Sequence, residues 1–175
     1  MGDRIAAQAA VLDVSGPVVY LIRHAHAGDR TTWHGDDSQR PLSEKGWRQA
    51  RGLVNVIPRN PPLRRVLSSS SLRCIQTVEP LAQVHGVSVE IDDRLLEGAD
   101  PVDALALLGH ELAIGGAVAA CSHGDVIPGV LDLLRSKGVP LDGPFTWPKG
   151  STWVLEGRDG GGVVRARYLA TSQAN

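Results

Sequence analysis

Short apolar runs alternate with longer amphipathic segments along the chain. Val18–Ile22 is a continuous apolar run of strand length and is rich in β-branched residues, which predicts a buried β-strand. The same reasoning, with Gly160–Gly162 as a turn, predicts further strands at Arg64–Ser68, Val87–Ile91, Gly116–Ser122, Ser151–Glu156 and Val163–Leu169. We place Val87–Ile91 at an edge of the sheet.

Amphipathic segments between these runs predict four helices. Ser43 is a candidate N-cap for a helix that continues through Ile57 and stops before Pro58. The other helices are predicted from near Ser70 to Gly86, over Val102–Leu112 and over Val126–Arg135. Strands that alternate with helices predict a three-layer α/β/α sandwich with a mainly parallel central sheet, to which the last two strands add antiparallel pairing.

Length and composition set the domain organisation. The 175 residues correspond to one domain, which we assign to residues 17–171, with a flexible N-terminal tail at 1–16 and a C-terminal tail at 172–175. The formal net charge of −1 and the lack of a basic tract argue against nucleic acid as a partner. No apolar run reaches transmembrane length and residues 1–16 lack a signal-peptide pattern, so we expect no membrane partner.

The chain has only two cysteines, Cys74 and Cys121, which is too few for a disulfide framework. This usage is typical of a reducing compartment and predicts a cytoplasmic protein. Both thiols lie next to residues with candidate chemistry, so redox control is an alternative. We favour small buried thiols that pack near the floor of a site.

Three of the predicted strands end on polar residues. Val18–Ile22 leads into Arg23 and His24, the second strand into a serine cluster and Arg73, and the fourth into Ser122 and His123. Ligands of open α/β sheets bind outside the carboxyl ends of the strands. If these strands are parallel, two arginines and two histidines meet at one edge of the sheet.

Two guanidinium groups beside two imidazoles suit a phosphate. Arginine forks match phosphate oxygens, and a helix that begins near Ser70 adds its positive end. A histidine in this field has a lowered pKa, so that a neutral nitrogen is available as a nucleophile. The pattern predicts phosphoryl transfer through a phosphohistidine, without a metal or another cofactor, because the arginines neutralise the charge.

Several segments resemble the histidine phosphatase (phosphoglycerate mutase-like) superfamily: "LIRHAHA", "LSSSSLRCIQTVEPLA" and "CSHGDVI". That family usually has Arg-His-Gly in its first motif, where this chain has Ala25. Arg-His-Ala and "DDSQRPLSEKG" are similar to the short, SixA-like branch. The segments Gly35–Leu42 and Lys149–Leu155 resemble more closely the histidine-phosphatase domain of mycobacterial MutT-type Nudix proteins. The resemblance extends from about Val18 to Leu169 and implies a phosphoglycerate mutase-like fold.

The resemblance implies roles for individual residues. His24 matches the nucleophile, and Arg23, Arg73 and His123 match the rest of the phosphate pocket. Glu97 is the best match for the general acid, and Asp125 is the alternative acid, although its position also suits a charge at a helix N-terminus.

Other residues keep two interpretations. We expect His26 to line the pocket mouth, because a zinc site needs more ligands than His24 and His26. Ser69 is a candidate phosphate contact or part of a helix-capping cluster. Three of the four tryptophans, Trp33, Trp147 and Trp153, either stack a base or pack loops, and loop packing is favoured for Trp153. A set of basic residues either rims a pocket for an anion or is solvated: Arg30, His34, Arg40, Arg48 and Lys149.

The functional hypothesis is a metal-independent phosphatase that acts either on a small phosphorylated molecule or on a protein phosphohistidine. The resemblance to the Nudix-fused domain implies that the small molecule is nucleotide-like. One alternative is a phosphate-binding regulatory module with little turnover. Another is a mutase-type phosphotransferase, which the short chain disfavours because mutases need an enclosing insertion. A separately encoded Nudix hydrolase is a further candidate partner.

Overall fold

A computed structural model describes residues 16–158 and 160–171, and the statements below concern these residues. The predicted C-terminal tail at 172–175 lies outside the described residues. So does the predicted N-terminal tail, apart from Gly16.

The described residues form a sheet of seven strands with four helices. The strands are β1 (Val18–Arg23), β2 (Leu63–Ser68), β3 (Val89–Ile91), β4 (Ala117–Ser122), β5 (Leu141–Asp142), β6 (Thr152–Gly157) and β7 (Val163–Leu169). The helices are α1 (Glu44–Val56), α2 (Leu72–His85), α3 (Pro101–Ile114) and α4 (Val126–Ser136). The sheet order is β3-β2-β4-β1-β6-β7-β5. Only β6 runs against its neighbours, so the sheet is mainly parallel as predicted, with β3 at an edge.

Side chains on β1 alternate between two buried layers. Val19 and Leu21 belong to a cluster that includes leucines and valines of α3 and α4. Tyr20 and Ile22 belong to a second cluster that contains residues of α1 and α2. Because successive strand residues point to opposite faces of a sheet, this division places two helices on each side. The predicted α/β/α sandwich is therefore confirmed.

The ends of the first two helices follow the predicted signals. The Ser43 side chain accepts a hydrogen bond from the Gly46 amide at 3.2 Å, as an N-cap does. Gly86 ends α2 with a φ of +68°, a conformation that glycine adopts without a Cβ penalty. Gly46 also allows α1 to approach the loop that follows β1, since a Cβ there would lie 2.0 Å from the His26 carbonyl oxygen.

Short elements were not predicted. These are β5 and three 3₁₀ turns at Arg30–Thr32, Asp37–Gln39 and Asp93–Leu95. Elements of two or three residues are too short to show a hydrophobic period. Each turn is capped by the aspartate before it, whose carboxylate accepts a backbone N–H two residues later, and this Asx signal could have located all three.

Both cysteines are free and buried, which agrees with the favoured interpretation as packed thiols. The reducing compartment stays a prediction. None of the helices in the described ranges is long and apolar enough to cross a membrane.

Candidate active site

The ends of β1, β2 and β4 meet at one edge of the sheet. Arg23 pairs with Ser122 across β1 and β4, and Ser68 pairs with Cys121 across β2 and β4. The backbone bonds continue beyond the strands: the His24 amide donates to the Ser122 carbonyl at 3.0 Å. The predicted convergence of polar residues on this edge is confirmed.

A cavity of about 680 Å³ opens at this edge. Among the residues that line it are Arg23, His24, His26, Glu97, Asp125 and Lys149. Arg73, His123 and Ser69 lie behind this lining, and each is at most 1% exposed. The site therefore has an open layer and a buried layer that supports it.

His24 has one ring nitrogen fixed by the backbone. Its Nδ1 lies 2.8 Å from the Ala25 carbonyl oxygen, which can only accept, so Nδ1 carries the proton and Nε2 keeps its lone pair. Burial lowers the pKa of His24 to about 3, with smaller contributions from His123, Arg73 and Arg23, against the opposing bond to Ala25. The imidazole is therefore neutral near pH 7.

This lowered pKa predicts a loss of stability in acid. The unfolded chain binds a proton at His24 below about pH 6.5, and the folded chain does so only below about pH 3, so the free energy of unfolding falls with pH between these values. At pH 5 the free energy of unfolding is lowered by about 2 kcal/mol. We expect His24→Asn, which keeps a donor for Ala25, to lose about 2 kcal/mol less between pH 7 and pH 5 than the wild type. Urea unfolding at both pH values measures this, and equal losses would contradict it.

Arg23 is held between two loops. Its Nη1 donates to the Trp147 carbonyl at 2.8 Å, and its guanidinium packs against Gly124, where a Cβ would lie 2.6 Å from Cζ. Burial lowers the pKa of Arg23, and the nearby Asp125 carboxylate opposes this change. Arg23 Nε is buried without a hydrogen-bond partner in the described part of the chain. The side chain is therefore held in place while one of its N–H donors remains available.

Arg73 is the centre of a charged network. Its Nη1 donates to the Asp37 carbonyl at 2.7 Å and lies 3.1 Å from the Asp37 carboxylate. Its Nη2 donates to Glu97 at 2.9 Å. Thr77, one turn later on α2, donates to the Arg73 carbonyl at 2.6 Å and accepts from the Ala25 amide at 2.9 Å. The Thr77 hydroxyl thus connects the backbone of Arg73 to the loop after His24.

His123 is oriented by buried neighbours. Its Nε2 lies 2.8 Å from the Ser69 hydroxyl and 3.4 Å from the Cys74 sulfur. Its ring meets the ring of His24 edge-on, with centroids 5.4 Å apart. Ser69 therefore contacts His123, and the predicted contact of Ser69 with phosphate stays a prediction.

The two candidate acids have different partners. Both oxygens of Glu97 accept from Arg30, at 2.8 and 2.9 Å, and Oε2 also accepts from Arg73. Asp125 stands at the N-cap position of α4, where its Oδ2 accepts from the Gly98 amide at 2.6 Å. Both side chains line the cavity, so the geometry leaves both as candidates.

The chain resembles known proteins in sequence. Residues 19–99, which include Arg23, His24, Arg73 and Glu97, match the family model described as histidine phosphatase superfamily (branch 1). The chain carries a histidine phosphatase superfamily domain. It is 34% identical over 160 residues to an 8-oxo-(d)GTP phosphatase of Mycolicibacterium smegmatis, covering 90% of this chain and 49% of that protein. The chain thus spans about half the length of this relative.

Solved structures share the fold of this histidine phosphatase domain. The putative phosphohistidine phosphatase SixA from Agrobacterium tumefaciens is 24% identical, with a TM-score of 0.65 over 88% of this chain and 97% of that one. A protein histidine phosphatase SixA complexed with tungstate is 20% identical, with a TM-score of 0.65 over 87% and 94% of the two chains. The predicted phosphoglycerate mutase-like fold is confirmed.

The structure also places several other residues of the domain. His26 lines the cavity, and its Nδ1 lies 2.7 Å from the Ser43 hydroxyl. The described residues contain no group of three or more potential metal ligands. Trp153 is buried and its indole donates to the Thr146 carbonyl, as expected for loop packing. Of the basic set, the cavity lining includes Arg30, Arg40 and Lys149 and omits His34 and Arg48.

Sequence reasoning missed the residues that position the arginines. Asp37 and Thr77 hold Arg73, while Gly124 and the Trp147 carbonyl hold Arg23. Asp37 lies in the segment "DDSQRPLSEKG", whose resemblance to the SixA-like branch could have located it. The Trp147 contact is made by backbone and depends on pairing 124 residues apart, so no local pattern reveals it.

Proposed function

We propose that this chain is a phosphatase that acts through a phosphohistidine on His24. The observation that carries the proposal is a buried, neutral imidazole at a cavity, with Nδ1 bonded to Ala25 so that Nε2 is the nitrogen available to a phosphorus atom. Arg23 and Arg73 lie nearby to neutralise the phosphoryl oxygens.

The reaction divides into two displacements. In the first, Nε2 of His24 forms a bond to phosphorus while the bond from phosphorus to the leaving oxygen breaks. A carboxylic acid side chain gives that oxygen its proton and becomes a carboxylate. In the second, water attacks the phosphohistidine, the phosphorus–nitrogen bond breaks, and the carboxylate takes the proton from water. The products are the alcohol and inorganic phosphate, and the nucleophile is regenerated.

Glu97 is our candidate acid because substrate binding changes its partners. Arg73 donates from Nη2 to Glu97, and Arg30 donates to both Glu97 oxygens. A phosphoryl group competes with this carboxylate for the same guanidinium donors. The exchange frees Glu97 next to the leaving oxygen, where it can hold the proton.

Replacement of the two carboxylates distinguishes them. We expect Glu97→Gln to lower kcat for an alkyl phosphate by about 10²-fold, the usual contribution of a general acid, and to have a smaller effect on an aryl phosphate, whose leaving oxygen needs less protonation. Asp125→Asn is the matched control and should change kcat much less. Steady-state phosphate release measures both, and the reverse pattern would assign the acid to Asp125.

The charge of the cavity favours a small anionic substrate. Lys149 lines it without a carboxylate partner within the described ranges. Its pKa is lowered by burial first, and then by repulsion from Arg23, Arg40, Arg30 and Arg73. An incoming phosphate relieves this repulsion. The name of the 34% identical relative, an 8-oxo-(d)GTP phosphatase, supports a nucleotide among such anions, while the SixA structures keep a protein phosphohistidine as the second candidate.

A substrate panel tests the proposal. The wild-type chain should release inorganic phosphate from an aryl phosphate, and comparison of nucleoside mono-, di- and triphosphates with a phosphohistidine protein separates the substrate classes. Phosphate binding without release from any of these would favour the regulatory module. Transfer of the phosphoryl group to an added phosphoglycerate in preference to water would favour the mutase. Co-purification tests the proposed Nudix partner.

A further inference from the structure

A second cavity of about 200 Å³ adjoins the first. The two share Gly28, Asp29 and Arg40 in their linings, so they are adjacent. The walls of the second cavity, which we call the Trp33 groove, also contain Ala27, Thr32, Trp33, Pro41, Leu42 and Ser43. Its surface is mostly apolar, in contrast to the charged cavity at His24. A ligand that fits both is anionic at one end and apolar at the other.

Trp33 is held in a fixed orientation in this groove. Its indole Nε1 donates to the Asp36 carbonyl at 3.0 Å, and a Cβ on Gly35 would lie 3.7 Å from the same nitrogen, so the ring packs on the backbone of its own loop. The side chain is nevertheless 36% exposed. A fixed, exposed aromatic ring loses little conformational freedom when a flat group stacks on it.

Arg40 forms the wall between the two cavities. It is 5% exposed, donates from Nε to the Asp37 carboxylate at 2.8 Å and donates from Nη1 to the Ala27 carbonyl at 2.7 Å. These bonds fix a guanidinium at the boundary between the anionic end and the apolar end of a ligand. Glu97, Asp29 and Asp125 also line the first cavity, where Glu97 pairs with Arg30 and Arg73, the donors that a phosphoryl group would take over.

We propose that the Trp33 groove binds the base of a nucleotide whose terminal phosphate reacts at His24. The inference rests on the proposed phosphatase function and names its substrate class. In a nucleotide, the sugar separates the base from the phosphate, so one molecule reaches both cavities past Arg40. In a phosphohistidine, the ring is bonded directly to phosphorus, so it occupies the cavity at His24 and leaves the Trp33 groove unused.

The experiment compares substrates with and without a base. GMP is paired with ribose 5-phosphate, and GDP with ribose 5-diphosphate, in the wild type, Trp33→Ala and Trp33→Phe. We expect Trp33→Ala to lower the preference in kcat/KM for the base-containing member of each pair by roughly 5- to 150-fold, the range of one lost base–aromatic stack. Trp33→Phe should keep most of the preference. Val102→Ala, at a residue 57% exposed on α3, is the control that should leave it unchanged.

The outcomes separate this inference from the phosphatase function. An unchanged preference in Trp33→Ala, or turnover of phosphohistidine protein alone, would overturn the base site and leave the phosphatase standing. If no compound is turned over, the phosphatase fails, and the base site is decided by calorimetric titrations of the protein with GDP and with ribose 5-diphosphate. Tighter binding of GDP that is lost in Trp33→Ala supports it, and equal binding of the two in the wild type overturns it.

Discussion

Replacement of His24 by alanine is expected to lower kcat/KM for every substrate by at least about 10³-fold, because the variant lacks the nitrogen that accepts the phosphoryl group. The loss should be in kcat for both aryl phosphates and nucleotides, since both pass through the same covalent intermediate. Steady-state phosphate release provides the measurement. His110→Ala, which removes an exposed histidine from α3, is the matched control and should retain wild-type rates.

The same variant tests the intermediate directly. Wild-type protein quenched during turnover of a labelled substrate should carry label that is stable in alkali and labile in acid, as a phosphohistidine is. His24→Ala should carry none. Residual activity within tenfold of wild type, or label retained by His24→Ala, would show that another residue is the nucleophile.

Arg73→Lys should lower kcat/KM for every substrate by about 10²-fold, comparable to removal of one charge-stabilising donor from an active site. The guanidinium donates from two nitrogens to Asp37 and Glu97, and a lysine ammonium cannot reproduce this fork. Because Arg73 is 1% exposed, the free energy of unfolding should also fall by about 1–3 kcal/mol.

Two measurements separate these effects of Arg73. Urea unfolding gives the stability change, and kinetics well below the transition temperature give the catalytic change in fully folded protein. Arg51→Lys, at an exposed arginine of α1, is the matched control for the same chemical replacement. Wild-type kcat/KM in Arg73→Lys would exclude the predicted contact of this guanidinium with the phosphoryl group.

The sheet and its helices were predictable because their signals are local. Apolar runs of strand length located β1 and β4, and capping residues such as Ser43 and Gly86 located helix ends to within one or two positions. Convergence of Arg23, His24 and His123 required one further rule, that parallel strands present their carboxyl ends at the same edge. These inferences depend on periodicity and chain direction alone.

The supporting contacts were not predictable in the same way. The contacts of Arg73 with Asp37 and of Arg23 with the Trp147 carbonyl join segments 36 and 124 residues apart. Loops that lack a hydrophobic period bring these groups together, so their pairing depends on the packed domain. The Trp33 groove is a feature of the same kind, since its walls come from a loop and a turn.

The position of β1 has a consequence for how this protein can diversify. β1 lies in the interior of the sheet, bonded on both sides by β4 and β6, so the backbone before His24 opens only when most of the domain unfolds. The segment that carries Trp33 contains only short turns, and its residues from Asp29 to Gly35 are exposed. Insertions and substitutions are tolerated better in such a segment than in a central strand. Descendants of this sequence can therefore change what they recognise while they inherit the same chemistry.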